Sequence, residues 1–296
     1  MPRAYSVRVG TIPSNVTAPT APFAVGTQVG VPTGTSLTNS SGLGANDGTE
    51  SLTLTHPVTG ATASPTVTVY RRRRWTATPS ANPGVGQTLL FDECEFAVSS
   101  DNFCFDNDTA TNARNDLMAP LVVFRRCSFN GSNLTGKAIV GGYLWLDRCD
   151  LRGCEDGLAG AYWSVVKGSN IIAATDGQPD PHSDGVQIAA IGQAVFYNNW
   201  LSGGTDPASA NAPLRLGTEF SAVTNVDIRY NGFAGVAHGL QVRGDAGAGD
   251  ISAITVIGNR WVNEQLYGPT DFAETTAVTW SDNAFFGGAT IPNPVP

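Results

Sequence analysis

The stretch AVFYNNWL (residues 194–201), with its counterparts VDIRYNGF (226–233), ITVIGNRW (254–261) and VTWSDNAF (278–285), decides the fold. Each reads as three positions of alternating side chains, two polar or turn-forming residues, an asparagine, and then any residue followed by a bulky one. Toward the N-terminus the pattern continues as SVVKGSNI (164–171), LWLDRCDL (144–151), VVFRRCSF (122–129) and LLFDECEF (89–96), with Ser or Cys in place of Asn. The key positions are Cys94, Cys127, Cys149, Ser169, Asn199, Asn231, Asn259 and Asn283, separated by 33, 22, 20, 30, 32, 28 and 24 residues. A spacing that varies by whole loops yet restores one local pattern marks a solenoid, in which insertions bulge out between the strands of each coil. The expected fold is therefore all-β, a right-handed parallel β-helix of about eight or more rungs over residues 87–288, preceded by an irregular N-terminal segment. At ~4.8 Å per rung the column is expected to be roughly 35–40 Å long.

Apolar residues flanking the key position are expected to face the core, with the key residue at the bend between two strands. Asn suits that bend because it tolerates left-handed backbone and its amide can bond the amide of the next rung. Cys and Ser are small enough for the same slot, so Cys94, Cys127 and Cys149 read as stacked buried thiols. Their spacing is not that of a Cys-x-x-Cys metal site, and five cysteines cannot all pair within one chain.

Composition agrees with many strands and tight turns. Charged residues make up 14% of the chain, and 34 of its 296 residues are glycine, which is poor material for long amphipathic helices. The net charge of −8 disfavours a nucleic-acid partner. No apolar run is long enough for a membrane span, and the first residues lack the apolar core of a secretory signal. Residues 1–86 are expected to be an extended attachment or capping region. The Pro-, Thr-, Ser- and Gly-rich stretch 11–48 reads as loosely packed chain ordered by a partner, while 50–56 and 66–76 alternate as strands. The latter are either first, irregular rungs or a separate module. Arg71 to Arg74 would alternate between faces and pair with acidic groups. Residues 289–296 are too proline-rich to extend a sheet and read as a cap or linker.

A second pattern, DGLAG (156–160), DGVQI (184–188), APLRL (212–216) and HGLQV (238–242), recurs at steps of 28, 28 and 26 residues. Stacked in register, it gives an outward column of Ala159, Gln187, Arg215 and Gln241, and a further column of Asp156, Asp184, Ala212 and His238. The loop DGQPDPHSDGVQI (176–188) adds Asp180 and His182, and Arg243 lies close by. The candidate catalytic residues are Asp156, His182, Asp184 and Arg215, and the candidate binding residues are Asp180, Gln187, His238, Gln241 and Arg243. Two chemistries fit. Glycoside hydrolysis uses a pair of carboxyls, and Asp156 and Asp184 on adjacent rungs fall near the short separation of a retaining pair. Uronate β-elimination uses a base, His182 or Arg215, with Arg243 or a Ca²⁺ on Asp180 and Asp184 neutralising the sugar carboxylate. The competing reading is structural: Asp-Gly is a turn pair, and a stack of such turns needs no function. No cofactor or resident metal is required by any of these readings.

The rung pattern resembles the pectate-lyase-like superfamily of parallel β-helices over roughly 89–288. Two segments are similar to the β-helical minor tail proteins of actinobacterial phages: VGVPTGTSLTNSSG (29–42), like their GVPAGTTLT segment, and HSDGVQI (182–188) followed by an Asn-containing rung. The resemblance implies a homotrimeric tail-tip protein located on the virion, bound to other tail proteins and to a host cell-surface glycan. Secretion is the alternative location, and polysaccharide lyase or glycosidase the alternative function. The Asn-x-Asp, Asp-Asp and Gly-His-Gly set of polygalacturonases is absent, as is the Arg-x-x-Pro-x-x-Arg motif of pectate lyases. No established catalytic set carries over, and a non-catalytic role is the leading expectation. Trimerisation would also bury apolar side chains pointing outward from the column.

Overall fold

The computed structural model describes residues 16–79, 81, 83, 86–99, 103–107, 117–160, 163–174, 183–188, 193–204, 210–218, 222–244, 251–273 and 278–294, without the side chains of 132–135. Among these residues there is no helix. The chain forms two large sheets whose neighbouring strands are parallel through nearly their whole extent, compatible with a solenoid.

Each repeat gives one strand to each sheet. The ten-stranded sheet is built from the three alternating positions, running from Thr66–Arg71 through Thr88–Asp92, Val122–Arg125, Leu144–Asp147, Ser164–Lys167, Ala194–Tyr197, Val223–Arg229 and Ile251–Ile257 to Val278–Ser281, with Thr49–Ser51 antiparallel at its first edge. The fifteen-stranded sheet starts just after each bend, for example at Trp200–Ser202 and Gly232–Ala234. A second column branches from it through Val186–Ile188, Leu214–Gly217, Leu240–Arg243 and Thr270–Ala273. The stack starts one repeat before Leu89: Val67 to Arg71 pair with Thr88 to Asp92, and Arg74 and Trp75 with Glu95 and Phe96. Arginine holds the key position there, as Arg73. The four arginines all have acidic partners: Arg71 meets Glu50 and Asp92, Arg72 meets Glu93, Arg73 meets Asp47 and Arg74 meets Glu95.

The first and third alternating positions fill the core. Phe91 sits among Tyr70, Trp75, Phe96, Phe105 and Phe124, with ring centroids 5.2–5.6 Å apart in stacked and edge-on pairs. The key residues form a continuous ladder. Cys94, Cys127 and Cys149 donate S–H to the carbonyls of Tyr70, Phe91 and Phe124 in the preceding repeat. Asn199, Asn231, Asn259 and Asn283 donate Nδ2–H to Val166, Phe196, Ile228 and Val256. Each Asn Oδ1 in turn accepts the backbone N–H of the key residue one repeat earlier, at 2.8–3.0 Å. The left-handed residue is not the key one, as expected from the sequence, but the one before it. Glu93, Arg126, Arg148, Asn198, Tyr230 and Asp282 have φ of 52–55°, and Gly168 and Gly258 take the same place. Asn is therefore used for its two-sided amide rather than for its backbone tolerance. The other two thiols, Cys104 and Cys154, lie buried and hydrogen-bonded, their sulfurs 3.8 Å apart and without a disulfide.

The N-terminal region packs on the chain's own sheets rather than awaiting a partner. Residues 16–42 run from later repeats back to the first. Pro19 lies over Gly232, Phe23 bonds through both backbone groups to the Asn170 amide, Gly30 N–H donates to the Arg148 carbonyl, and Val31 N–H donates to Ser128 Oγ. Thr38–Ser40 then pairs in parallel with Arg73–Trp75. The hairpin Leu54–Thr55/Thr62–Ala63 belongs with a second apolar cluster on the outside of the ten-stranded sheet, in which Leu52 and Leu54 join Leu117 and the outward Val67, Val69, Leu90, Val123, Trp145, Val165 and Val195. The outward middle positions are apolar up to Val195 and become Asp227, Thr255 and Thr279 beyond it. The chain itself thus buries these outward apolar residues. At the other end Ala289–Ile291 folds back as a cap. Its carbonyl at Ala289 accepts from Phe285, Ile291 N–H donates to Asn283, and Trp280 Nε1 donates to Ile291.

Candidate functional site

The second sequence pattern stacks in the expected register. Ala159, Gln187, Arg215 and Gln241 are aligned from strand to strand, and Asp271 extends the column by one repeat. These side chains lie on the face opposite Leu158, Val186, Leu214 and Leu240, which are fully buried in the core. Gln241 is itself buried, since its Nε2 donates to Asp271 Oδ2 at 3.1 Å. Arg243 Nε reaches the same oxygen at 3.1 Å, and His238 Nδ1 lies 3.9 Å from it, too far for a hydrogen bond. Burial holds His238 below the usual histidine range, against the pull of Asp271.

Asp156 and Asp184 do not join this face. They are 3% and 1% exposed, and they work as a ladder of their own. Asp156 Oδ1 accepts the backbone N–H of Asp184 at 2.9 Å, and Asp184 Oδ1 accepts that of Ala212 at 3.0 Å. The remaining oxygens are also engaged: Asp156 Oδ2 with Lys137 Nζ at 2.8 Å, and Asp184 Oδ2 with Asn211 Nδ2 at 3.3 Å. The glycines that follow are required by close approach rather than by a turn. A Cβ on Gly157 would lie 2.6 Å from the Gly185 carbonyl oxygen, and one on Gly185 would lie 2.4 Å from that of Pro213. Asp180 and His182, and with them the second half of the Ca²⁺ site considered above, lie outside the described residues.

Burial, reinforced by the negative charge of Asp156 and opposed by Arg215, pushes the Asp184 carboxyl well above its ordinary value. A carboxyl raised on folding destabilises the native state progressively as pH climbs above its unfolded value of 3.8, because the unfolded chain then gives up a proton that the folded chain retains. Asp184→Asn removes this term. The variant is expected to melt at the wild-type temperature near pH 4 and above it at pH 7. A difference that does not change with pH would contradict a protonated Asp184.

Lys137, Asn211, Asp271 and Tyr267 were not anticipated. Lys137 is one of only two lysines and stands opposite Asp156 in register, which was the available signal. The strand TDFA (270–273) lacks the Gly-apolar pattern of its neighbours, so nothing in it announced Asp271. Among the described residues no group of three or more His, Cys, Asp or Glu side chains could hold a metal ion. Comparison with protein-family models, with curated proteins and with solved structures returns no match.

Proposed function

We propose that this chain is a right-handed parallel β-helix that binds a cell-surface glycan without cleaving it, as a structural minor component of a bacteriophage tail. The observation that carries this reading is the bonding of Asp156 and Asp184. Each is nearly inaccessible and holds the backbone of the next repeat. A hydrolytic pair needs carboxyls within reach of the glycosidic oxygen and of water. The accessible side chains of the outer column, Gln187, Arg215, Arg243 and Asp271, are of the kinds that hydrogen-bond hydroxyls and carboxylates. The virion setting rests on the resemblance of residues 29–42 and 182–188 to phage minor tail proteins.

A second reading, a lyase or glycosidase, draws on one observation: Asp156 accepts the Asp184 backbone N–H, and burial pushes the Asp184 carboxyl beside it up, as a general acid requires. Binding is tested by affinity electrophoresis of the full chain through gels carrying actinobacterial envelope polysaccharide. Retardation relative to a gel without glycan is expected. Unchanged mobility in every glycan gel would contradict the proposal.

A further inference from the structure

Of the described residues only three large apolar side chains are strongly exposed, and two of them are adjacent: Leu266 at 64% and Tyr267 at 66%. Their exposure is not that of a loose loop. Leu266 and Tyr267 donate backbone N–H to Val236 and Ala237, Gly268 and Pro269 accept from Gly239 and Leu240, and Glu264 and Gln265 both bond Gly235 through their side chains. Tyr267 rests on His238, ring centroids 5.0 Å apart. His238 in turn stands beside Asp271, the carboxylate that gathers Gln241 and Arg243. A fixed aromatic ring, offered to solvent at the end of a polar column, has the make-up of a sugar platform. The C–H face of a pyranose packs on such a ring while planar guanidinium and carboxylate groups beside it bond the hydroxyls. The apolar part is one ring and one leucine, far short of the ~800 Å² that each partner of a stable protein interface buries.

We infer that Tyr267, with Arg243 and Asp271 beside it and the buried Gln241 holding Asp271 in place, is a subsite for one pyranose ring of a polysaccharide. The inference rests on the glycan-binding reading above and names where on the column the sugar is held. Calorimetric titration of the full chain with two probes, a neutral β-linked glucose hexamer and a galacturonate hexamer, tests it. The wild type is expected to bind at least one of them. Tyr267→Ala is expected to weaken that binding tenfold or more, Tyr267→Phe to retain it, and neither to change the melting temperature. If the wild type binds a hexamer and Tyr267→Ala binds it equally well, the subsite is refuted and glycan binding stands. If the wild type binds neither hexamer and is not retarded by polysaccharide gels, both fall. Loss of binding in Tyr267→Ala accompanied by loss of folding would also overturn the subsite, because an exposed ring would then be a structural element.

Discussion

Asn231→Ala is expected to remove about 4 kcal/mol of stability, since each buried polar group left without its partner costs ~1–3 kcal/mol. The Asn231 amide is fully buried and uses both its ends. Its Oδ1 accepts the backbone N–H and the Nδ2–H of Asn199, and its Nδ2 donates to the Phe196 carbonyl and to Asn259 Oδ1. Alanine would leave the Asn199 N–H without its acceptor, remove the amide that donates to the Phe196 carbonyl and interrupt the ladder in mid-stack. The effect corresponds to a fall of roughly 10 °C in melting temperature for a chain of this size. Thr279→Ala, at an exposed outward position, is the control and should stay within about 0.5 kcal/mol of wild type. Urea unfolding of the three proteins measures the difference. A loss below about 1 kcal/mol for Asn231→Ala would mean that the ladder is incidental to the stack.

Leu54→Asp is expected to have the second large effect, of a different kind. Leu54 is 4% exposed against the apolar outer surface that includes Trp145 and Val165. The substitution forfeits ~2 kcal/mol of leucine burial and adds the desolvation of a carboxylate. The hairpin can escape that cost by leaving the sheet, since it is joined there by packing and by short strands rather than by the ladder. The stacked repeats would remain while outward apolar residues of the cluster that holds Leu52 and Leu54 became exposed, a strip that promotes self-association. Light scattering should then report oligomers, and a hydrophobic dye should bind, with the far-ultraviolet β signal retained. A variant that keeps the wild-type mass in solution and binds no dye would contradict the covering role of the hairpin.

What the sequence made legible follows from how each contact is made. The core repeats were readable because side chains make them. Period-two alternation, a fixed bend and a small polar residue recur from Cys94 to Asn283, and the strands pair in that register. The strand at 66–76 is legible, but the sequence leaves it open between a first, irregular rung and a separate module, because Arg73 occupies the key position where the later repeats have Cys, Ser or Asn. The N-terminal strap was unreadable for a different reason. Phe23, Gly30 and Val31 are held through their backbone groups, so the side chains of residues 16–37 carry no periodic trace of what they cover. The misplacement of Asp156 and Asp184 was avoidable. In DGLAG and DGVQI the aspartate is two residues before an inward leucine or valine, and in a strand such residues share a face. That parity argued for the buried side, and the structure has both aspartates there. The outer column of Gln187, Arg215 and Gln241 obeyed the same rule and was located correctly.

The most direct test of the central claim, binding without cleavage, is turnover. Purified protein is mixed with actinobacterial envelope polysaccharide and with uronate polymers, and reducing ends and the ultraviolet absorbance of unsaturated uronates are followed together, with Asp184→Asn alongside. No product is expected from wild type or variant on a glycan that retards both in affinity gels. Product formed by the wild type and abolished by Asp184→Asn would contradict that claim and make the buried carboxyl pair a catalytic centre.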